Sequence, residues 1–259
     1  LRSAGNLTLQ GYSYAASGSG RGVDLNNDVI AASGTVSMSG QHNTGATYAI
    51  SLSGSTSITA GTGVTLESLN DNTGTIALLS SGGINGGSGT VLMRAANYAF
   101  GGADRTITTT GVLTIEPDAD ENSFASSFDN QYLNPVSVTG LTLGKSSNAS
   151  AITLSRAISL SGPVSIYGGS IDVNANITAN SGNILLDADT GSTLNQSSTG
   201  ILLDDVITIE TVTSGNLTLI GRSGDTGSGF DGIDASSANT TTLRSAGNLT
   251  LQGYSYAAS

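Results

Sequence analysis

Cysteine and tryptophan are absent from this chain, and proline, methionine and histidine are nearly so. Without cysteine there is neither a disulfide framework nor a thiolate metal site. Charge is also scarce, at 10% of residues, and lopsided: eight basic groups face nineteen acidic ones, a formal net charge of -11. A surface of that sign repels phosphate backbones and anionic lipid, so nucleic-acid binding is excluded. No apolar run approaches the roughly 18 residues needed to span a bilayer, so no membrane insertion is expected. The first residues show neither a membrane anchor nor a charged segment followed by a hydrophobic one, so no signal peptide is visible.

What fills the 259 residues is glycine, 36 of them, together with serine, threonine and asparagine, the residues of turns and polar strand faces. A hydrophobic fraction of 37% with mean hydropathy +0.06 is too apolar for disorder. The balance points to an all-β protein of many short strands.

Internal repeats decide the reading. The opening segment LRSAGNLTLQGYSYAAS, Leu1 to Ser17, recurs without a change at Leu243 to Ser259, a period of 242 residues. Such identity is expected of an excerpt from a tandem array. Inside the long period, glycine precedes an apolar-polar-apolar triplet again and again: GNLTL, GTVSM, GVTL, GTVLM, GVLTI, GLTL, GPVSI, GNILL. The triplets begin at Leu7, Val36, Val64, Val91, Leu113, Leu141, Val164, Ile184, Leu217 and Leu249, with spacings of 20 to 33 residues, or nine units per period. Units too small to bury a face alone, yet able to stack, predict a solenoid.

Each unit carries two further strand signals, such as GVDLNN, YAISLSG and SIDVNAN, then DVIAAS, TSITAG and NITANS. Three short strands per unit predict a triangular coil of parallel strands. Alternation sends Leu7 and Leu9, Val36 and Met38, Val64 and Leu66 inward, and Thr8, Ser37 and Thr65 outward. Equivalent strands then lie about 4.8 Å apart along the axis, and nine coils advance about 43 Å per period. The whole of 1–259 is expected to be one continuous solenoid segment. Residues 116–135, EPDADENSFASSFDNQYLNP, break the pattern: they contain no glycine and space Phe124, Phe128 and Tyr132 as one face of a short helix, predicting a surface excursion. The stretches after Leu186 and Leu219 are expected to loop out at corners.

The run VSVTGLTLGKSSNASAITLSRAISLSGPVSIYGGSIDVNANITANSGNILLDA resembles the repetitive shafts of bacterial filamentous-haemagglutinin-like exoproteins and related giant surface proteins. The resemblance covers essentially the whole chain as a style of repeat. It implies a single-stranded right-handed parallel β-helix, export in an unfolded state, and an extracellular or cell-surface role as a long adhesin shaft or fibre. Its partners would be neighbouring repeats of the same chain or identical subunits along a fibre axis, with a cell surface or carbohydrate as a further ligand.

Catalytic chemistry is thinly supplied. Parallel β-helices also host polysaccharide-cleaving enzymes, which makes the paired carboxylates Asp204 and Asp205 the ones to weigh. The basic groups a lyase needs are scattered: Lys145, Arg94, Arg105, Arg156 and Arg222. The lone histidine, His42, falls at a predicted corner and is expected to be exposed. No catalytic residue, cofactor or metal ligand is therefore assigned, and no enzyme activity is expected. Asp118, Asp120, Asn122 and Asp129 have the 1, 3, 5, 12 spacing of a calcium loop, but Ser123 stands where glycine is needed and Asp129 replaces the bidentate glutamate. TGSGFDGI, Thr226 to Ile233, resembles a single calcium-binding nonapeptide and otherwise reads as a glycine-rich corner.

A flat threonine plane for ice binding fails, because the row of Gln10, Ser39, Glu67, Arg94, Glu116, Gly144, Tyr167, Asp187 and Ile220 is chemically mixed. Tyr12, Tyr14, Tyr48 and Tyr98 are candidates for stacking on sugar faces if exposed, and otherwise are ordinary strand tyrosines. The Asn-x-Ser/Thr sites Asn6, Asn148 and Asn176 fall near predicted strands.

Overall fold

In the computed structural model, which describes residues 1–14, 20–42, 48–70, 73–79, 81–135, 137–188, 198–224, 230–235 and 240–256, the chain is a parallel β-solenoid. Among the described residues there is no helix. The strands gather into two compact units, one of Leu1–Ala125 with Tyr132–Thr139 and one of Ser126–Gln131 with Gly140–Ser259.

In the first unit the strands come in threes, one per face. One sheet stacks Leu7–Ser13, Val36–His42, Val64–Ser68, Val91–Arg94 and Val112–Glu116. A second stacks Arg21–Leu25, Tyr48–Leu52, Thr75–Leu78 and Asn97–Phe100, and a third runs from Arg2–Ser3 through Val29–Ala31 to Leu133–Pro135. The second unit has the same three-face order. Gly140–Leu143, Val164–Gly168, Ile184–Ala188, Leu217–Arg222 and Leu249–Tyr254 form one face, and sheets of five and four strands form the others.

Register follows the triplets. Leu7 lies opposite Val36, Val36 opposite Val64, Val64 opposite Val91 and Val91 opposite Leu113. In the second unit Leu141 lies opposite Val164, then Ile184, Leu217 and Leu249 follow in turn. Alternation buries the expected side: Val36, Met38, Leu66, Val91, Met93, Leu113 and Ile115 are almost wholly enclosed, as are Val164, Ile166, Ile184, Leu186, Leu217 and Leu219. Each such aliphatic side chain contributes about 1.5–3 kcal/mol, and none requires a metal or disulfide.

The corners are held by asparagine and glycine. Asn6 Oδ1 accepts the N–H of Thr35 one coil on, Asn183 Oδ1 accepts that of Asn216, and Asn216 Oδ1 accepts that of Asn248. Asn176 does the same for Thr208, and Asn148 is buried with Nδ2 donating to the Tyr167 carbonyl at 2.9 Å. The glycosylation-type asparagines thus serve as inter-coil struts. Gly215 takes φ +112°, and a Cβ there would lie 1.9 Å from the Gly182 carbonyl oxygen, so this corner admits no side chain.

Two expectations are corrected. No helix forms over Phe124, Phe128 and Tyr132, because the three rings answer to different neighbours. Phe124 packs edge-on against Tyr98 at 5.9 Å, Tyr132 lies 6.4 Å from Phe100, and Phe128 enters a ladder opposite Ile152. The irregular stretch is therefore 117–127, while Phe128–Asp129 and Leu133–Pro135 are ladder strands. Arg105, one of the scattered basic groups, is fully buried. Its Nη1 donates to the carbonyls of Thr56 and Gly82, and burial lowers its pKa to about 10. Of the loop expected after Leu186, Asp187 and Ala188 continue the strand and 189–197 lie outside the described residues; of the one expected after Leu219, Ile220, Gly221 and Arg222 continue the strand and 225–229, with Thr226–Gly229 of the nonapeptide-like stretch, lie outside them.

Gly215→Ala should lower stability by about 1–3 kcal/mol, because alanine at that φ is strained even before the contact with Gly182. Gly5 precedes the equivalent triplet without a left-handed φ and, in the first coil of this chain, has nothing within 4 Å of its Cβ position, whereas its copy Gly247 would meet Asn216 Oδ1 at 2.5 Å; Gly5→Ala in this chain should stay within about 0.5 kcal/mol of the parent. Urea unfolding of the two variants checks the contrast. Equal losses would show that corner geometry is not what the glycine supplies.

Candidate functional site

The sheet that begins at Leu7–Ser13 alternates half-buried and exposed positions, and its outward residues are Thr8, Gln10 and Tyr12, with Tyr14 just beyond. Tyr12 is 52% and Tyr14 84% exposed. With Ser13, Gln41 and His42 they line a groove of about 330 Å³, within the usual range for small-ligand pockets. Pairing explains the grouping, since Tyr12 lies opposite Gln41 and Ser13 opposite His42.

His42 is buried, contrary to its expected corner exposure. It ends a strand instead of a turn, because Asn70 of the next coil clamps its backbone: the His42 N–H donates to Asn70 Oδ1 at 2.6 Å, and Asn70 Nδ2 donates to the His42 carbonyl.

The other candidate tyrosines go elsewhere. Tyr48 is half-buried under the Arg21 guanidinium, 5.8 Å from its ring centre, with Arg21 paired to Asp24 at 2.8 Å. Tyr98 donates its hydroxyl to the Glu116 carbonyl at 3.1 Å. Burial, with Glu116 and Asp118 adding to it, pushes that hydroxyl well above its ordinary pKa of 10. In the second copy of the duplicated segment Tyr254 and Tyr256 are again exposed, at 43% and 39%. Arg222 sits over the Tyr254 ring at 5.6 Å while its Nη1 donates to Asp187 Oδ1 at 3.1 Å and to the Ala188 carbonyl. Of the twelve aromatic residues in the chain, the exposed four are these two tyrosines in both copies.

The catalytic candidates do not gather around a common point. Asp204 and Asp205 are exposed. Arg94 is held between Glu116 at 2.5 Å and Glu67 at 3.7 Å, and its Glu116 hydrogen bond is the main reason its pKa is raised. Arg156 donates to the carbonyl of Gln131 at 3.3 Å and through its backbone to Asn130, and Arg222 is committed to Asp187. The alternating Glu67, Arg94, Glu116 row stands in the sequence as a mixed row, and its alternating charge is the signal for this pairing.

The calcium-loop spacing is broken by the fold. Asp129 lies in a strand, its Oδ1 accepting the Gln131 N–H and its Oδ2 the Ser155 hydroxyl. Asp118 is buried, with Oδ1 accepting the N–H of Ala119. Among the described residues no group of three or more His, Cys, Asp or Glu side chains is placed to hold a metal ion.

The fold and its repeat define a tandem-repeat parallel β-solenoid. No protein-family model, curated protein or solved structure matches the chain, so its likeness to haemagglutinin-type shafts rests on the style of repeat alone.

Asp172 has a raised pKa, chiefly through burial and further through the charges of Asp204, Asp205 and Asp129, which outweigh a hydrogen bond from Asn174. A carboxyl whose folded pKa is raised binds its proton more tightly in the folded state. Its ionised form is therefore a burden above the folded pKa that is relieved as pH falls. Asp172→Asn should accordingly raise the melting temperature at pH 7, with the gain fading as pH falls through the raised folded pKa and gone by about pH 4, the unfolded value. A loss at pH 7 would show that the carboxylate is stabilising, and a pH-independent gain would show that its ionisation is not what costs stability.

Proposed function

We propose that this chain is a structural segment of an extracellular or cell-surface fibre, in which successive 242-residue periods continue one solenoid end to end. It acts as a spacer and not as an enzyme. The observation that carries the reading is that the duplicated segment is seen pairing through each of its two edges. In the first copy Leu7–Ser13 pairs forward with Val36–His42, and in the second Leu249–Tyr254 pairs backward with Leu217–Arg222. The residues are the same, so the two copies together describe one coil satisfied on both sides.

Corner chemistry supports the same continuation. Asn248 donates its N–H to Asn216 Oδ1, and its equivalent Asn6 accepts the N–H of Thr35. An asparagine at the period boundary would thus hand the strut from one period to the next. A strand edge left open invites aggregation, and continuous stacking leaves such edges only where the array stops.

Charge shapes how such fibres meet. Setting aside the duplicated Arg244, each period holds seven basic and nineteen acidic residues, a net charge of -12. Repulsion keeps fibres apart at low salt and fades as the Debye length falls to about 10 Å at 0.1 M.

A chain carrying two periods in tandem, viewed by electron microscopy, should form thin unbranched rods that lengthen by about 43 Å for each added period. Rods should lie singly at low salt and bundle when salt or a divalent cation is added. Compact particles whose length does not grow with the number of periods would overturn the reading.

A further inference from the structure

We propose that two copies of this chain pair face to face and antiparallel through the outward side of the coils that carry Ser39, Glu67, Arg94 and Glu116. The observation behind it is a row of charge that is its own complement. Ser39, Glu67, Arg94 and Glu116 stand opposite one another in four successive coils, and Ser37, Thr65, Leu92 and Thr114 form the row beside them. None of the four strands is the first or last of its sheet, so the face owes nothing to the chain ends. All eight side chains are half-buried among their own neighbours, and Leu92 is the one apolar residue of the eight.

Symmetry selects how the second copy fits, since a closed pair of identical chains is two-fold. A two-fold along the strand direction, midway between the coils of Glu67 and Arg94, reverses the order of the coils and keeps each row opposite its own. The row Ser39, Glu67, Arg94, Glu116 then meets Glu116, Arg94, Glu67, Ser39. Each Arg94 faces a Glu67 of the other copy and each Glu116 faces a serine hydroxyl, while Leu92 meets the Thr65 methyl and Thr114 meets Ser37. A two-fold along the solenoid axis would instead hold equal coils level, Arg94 with Arg94 and Glu67 with Glu67, which like charge disfavours. Arg94 can serve both copies: its Nε donates to Glu116 and its Nη1 lies 3.7 Å from Glu67, and a guanidinium has five N–H donors to share. Other acid lies elsewhere, with Asp129, Asp172, Asp204 and Asp205 crowded on or beside a different sheet.

Four strands about 4.8 Å apart present roughly 300–400 Å² of this face per copy. A stable interface needs roughly 600 Å² or more per partner, so single chains pair weakly. In the continued array proposed above, every period adds one such face to the same shaft, and antiparallel shafts of equal period keep the register at each one. Weak contacts spaced along one axis then act together. That gain rests on the array, whereas the pairing itself is a property of the 259-residue chain.

Sedimentation velocity of the 259-residue chain at millimolar concentration and about 0.15 M salt, where the Debye length is about 8 Å, should show a monomer–dimer equilibrium. Arg94→Glu, and separately the double variant Glu67→Arg with Glu116→Arg, should each weaken self-pairing at least tenfold. Their equimolar mixture should pair at least as well as the parent, although both chains remain negative overall. A merely structural effect of the substitutions would not give that rescue. The parent fold carries a second measurement, because the chain has no cysteine of its own. With a short bismaleimide linker, Ser37→Cys chains should cross-link to Thr114→Cys chains and not to one another. A chain that stays monomeric, self-pairing of Arg94→Glu equal to the parent's, a mixture no better than its parts, or Ser37→Cys chains that join one another as readily overturns the proposal. Pairing of single chains while two-period chains stay compact overturns the array alone. Two-period rods that lie singly at this salt overturn the face alone.

Discussion

Coil after coil is held by a hydrogen bond that points the same way. The N–H opening an inward triplet donates to a carbonyl of the following coil: Leu7 to Thr35, Val36 to Gly63 and Val64 to Thr90 in the first unit. In the second unit Val164 donates to Asn183, Ile184 to Asn216 and Leu217 to Asn248. Parallel pairing places each strand beside its own equivalent, so like residues stack on like, and a slip of one residue would turn Val36 and Met38 outward. Phase must be kept at the corner before each triplet. Length between corners is free, which is how units of 20 to 33 residues share one register.

Keeping phase falls to side chains that imitate the backbone. An asparagine whose amide oxygen accepts the next coil's N–H extends the ladder around a corner where the main chain has turned away, as Asn183 and Asn216 do in succession. Asn70 and Asn130 go further, each both accepting from and donating to one residue of a neighbouring coil. Arg105 answers the same need inside the first unit, giving buried carbonyls a donor where no strand reaches. The outward charge rows are of another kind. Arg94 between Glu67 and Glu116 is partly exposed, and such pairs contribute little. They follow from the register and do not set it.

Periodicity made the fold legible. The ten triplet starts read from the sequence are the residues that stand opposite one another within each unit, because alternation and inter-coil spacing are properties of the chain alone. Legibility ended where a side chain answers to a residue about thirty positions away. The i, i+4, i+8 spacing of Phe124, Phe128 and Tyr132 imitates a helix although each ring serves a different neighbour. His42 was misplaced because its partner Asn70 lies 28 residues on. The tyrosine groove was half visible: Tyr12 and Tyr14 could be named from the sequence. Only the pairing of Tyr12 with Gln41 and Ser13 with His42 shows what stands beside them.

A solenoid of this kind separates two sets of residues. Inward positions and corners carry the fold, while outward positions are free to vary, as the row from Gln10 through Glu67 and Arg94 to Glu116 demonstrates. Duplication copies both sets at once. In the proposed array a new period would bring the two pairing edges that lengthen the ladder and, in the same segment, the tyrosines at positions equivalent to 12 and 14. Length and surface chemistry would then grow in step. With the copied strand as the junction of the proposed array, a period could not be added without its tyrosine pair, nor could the pair spread to the other coils of the period by the same event.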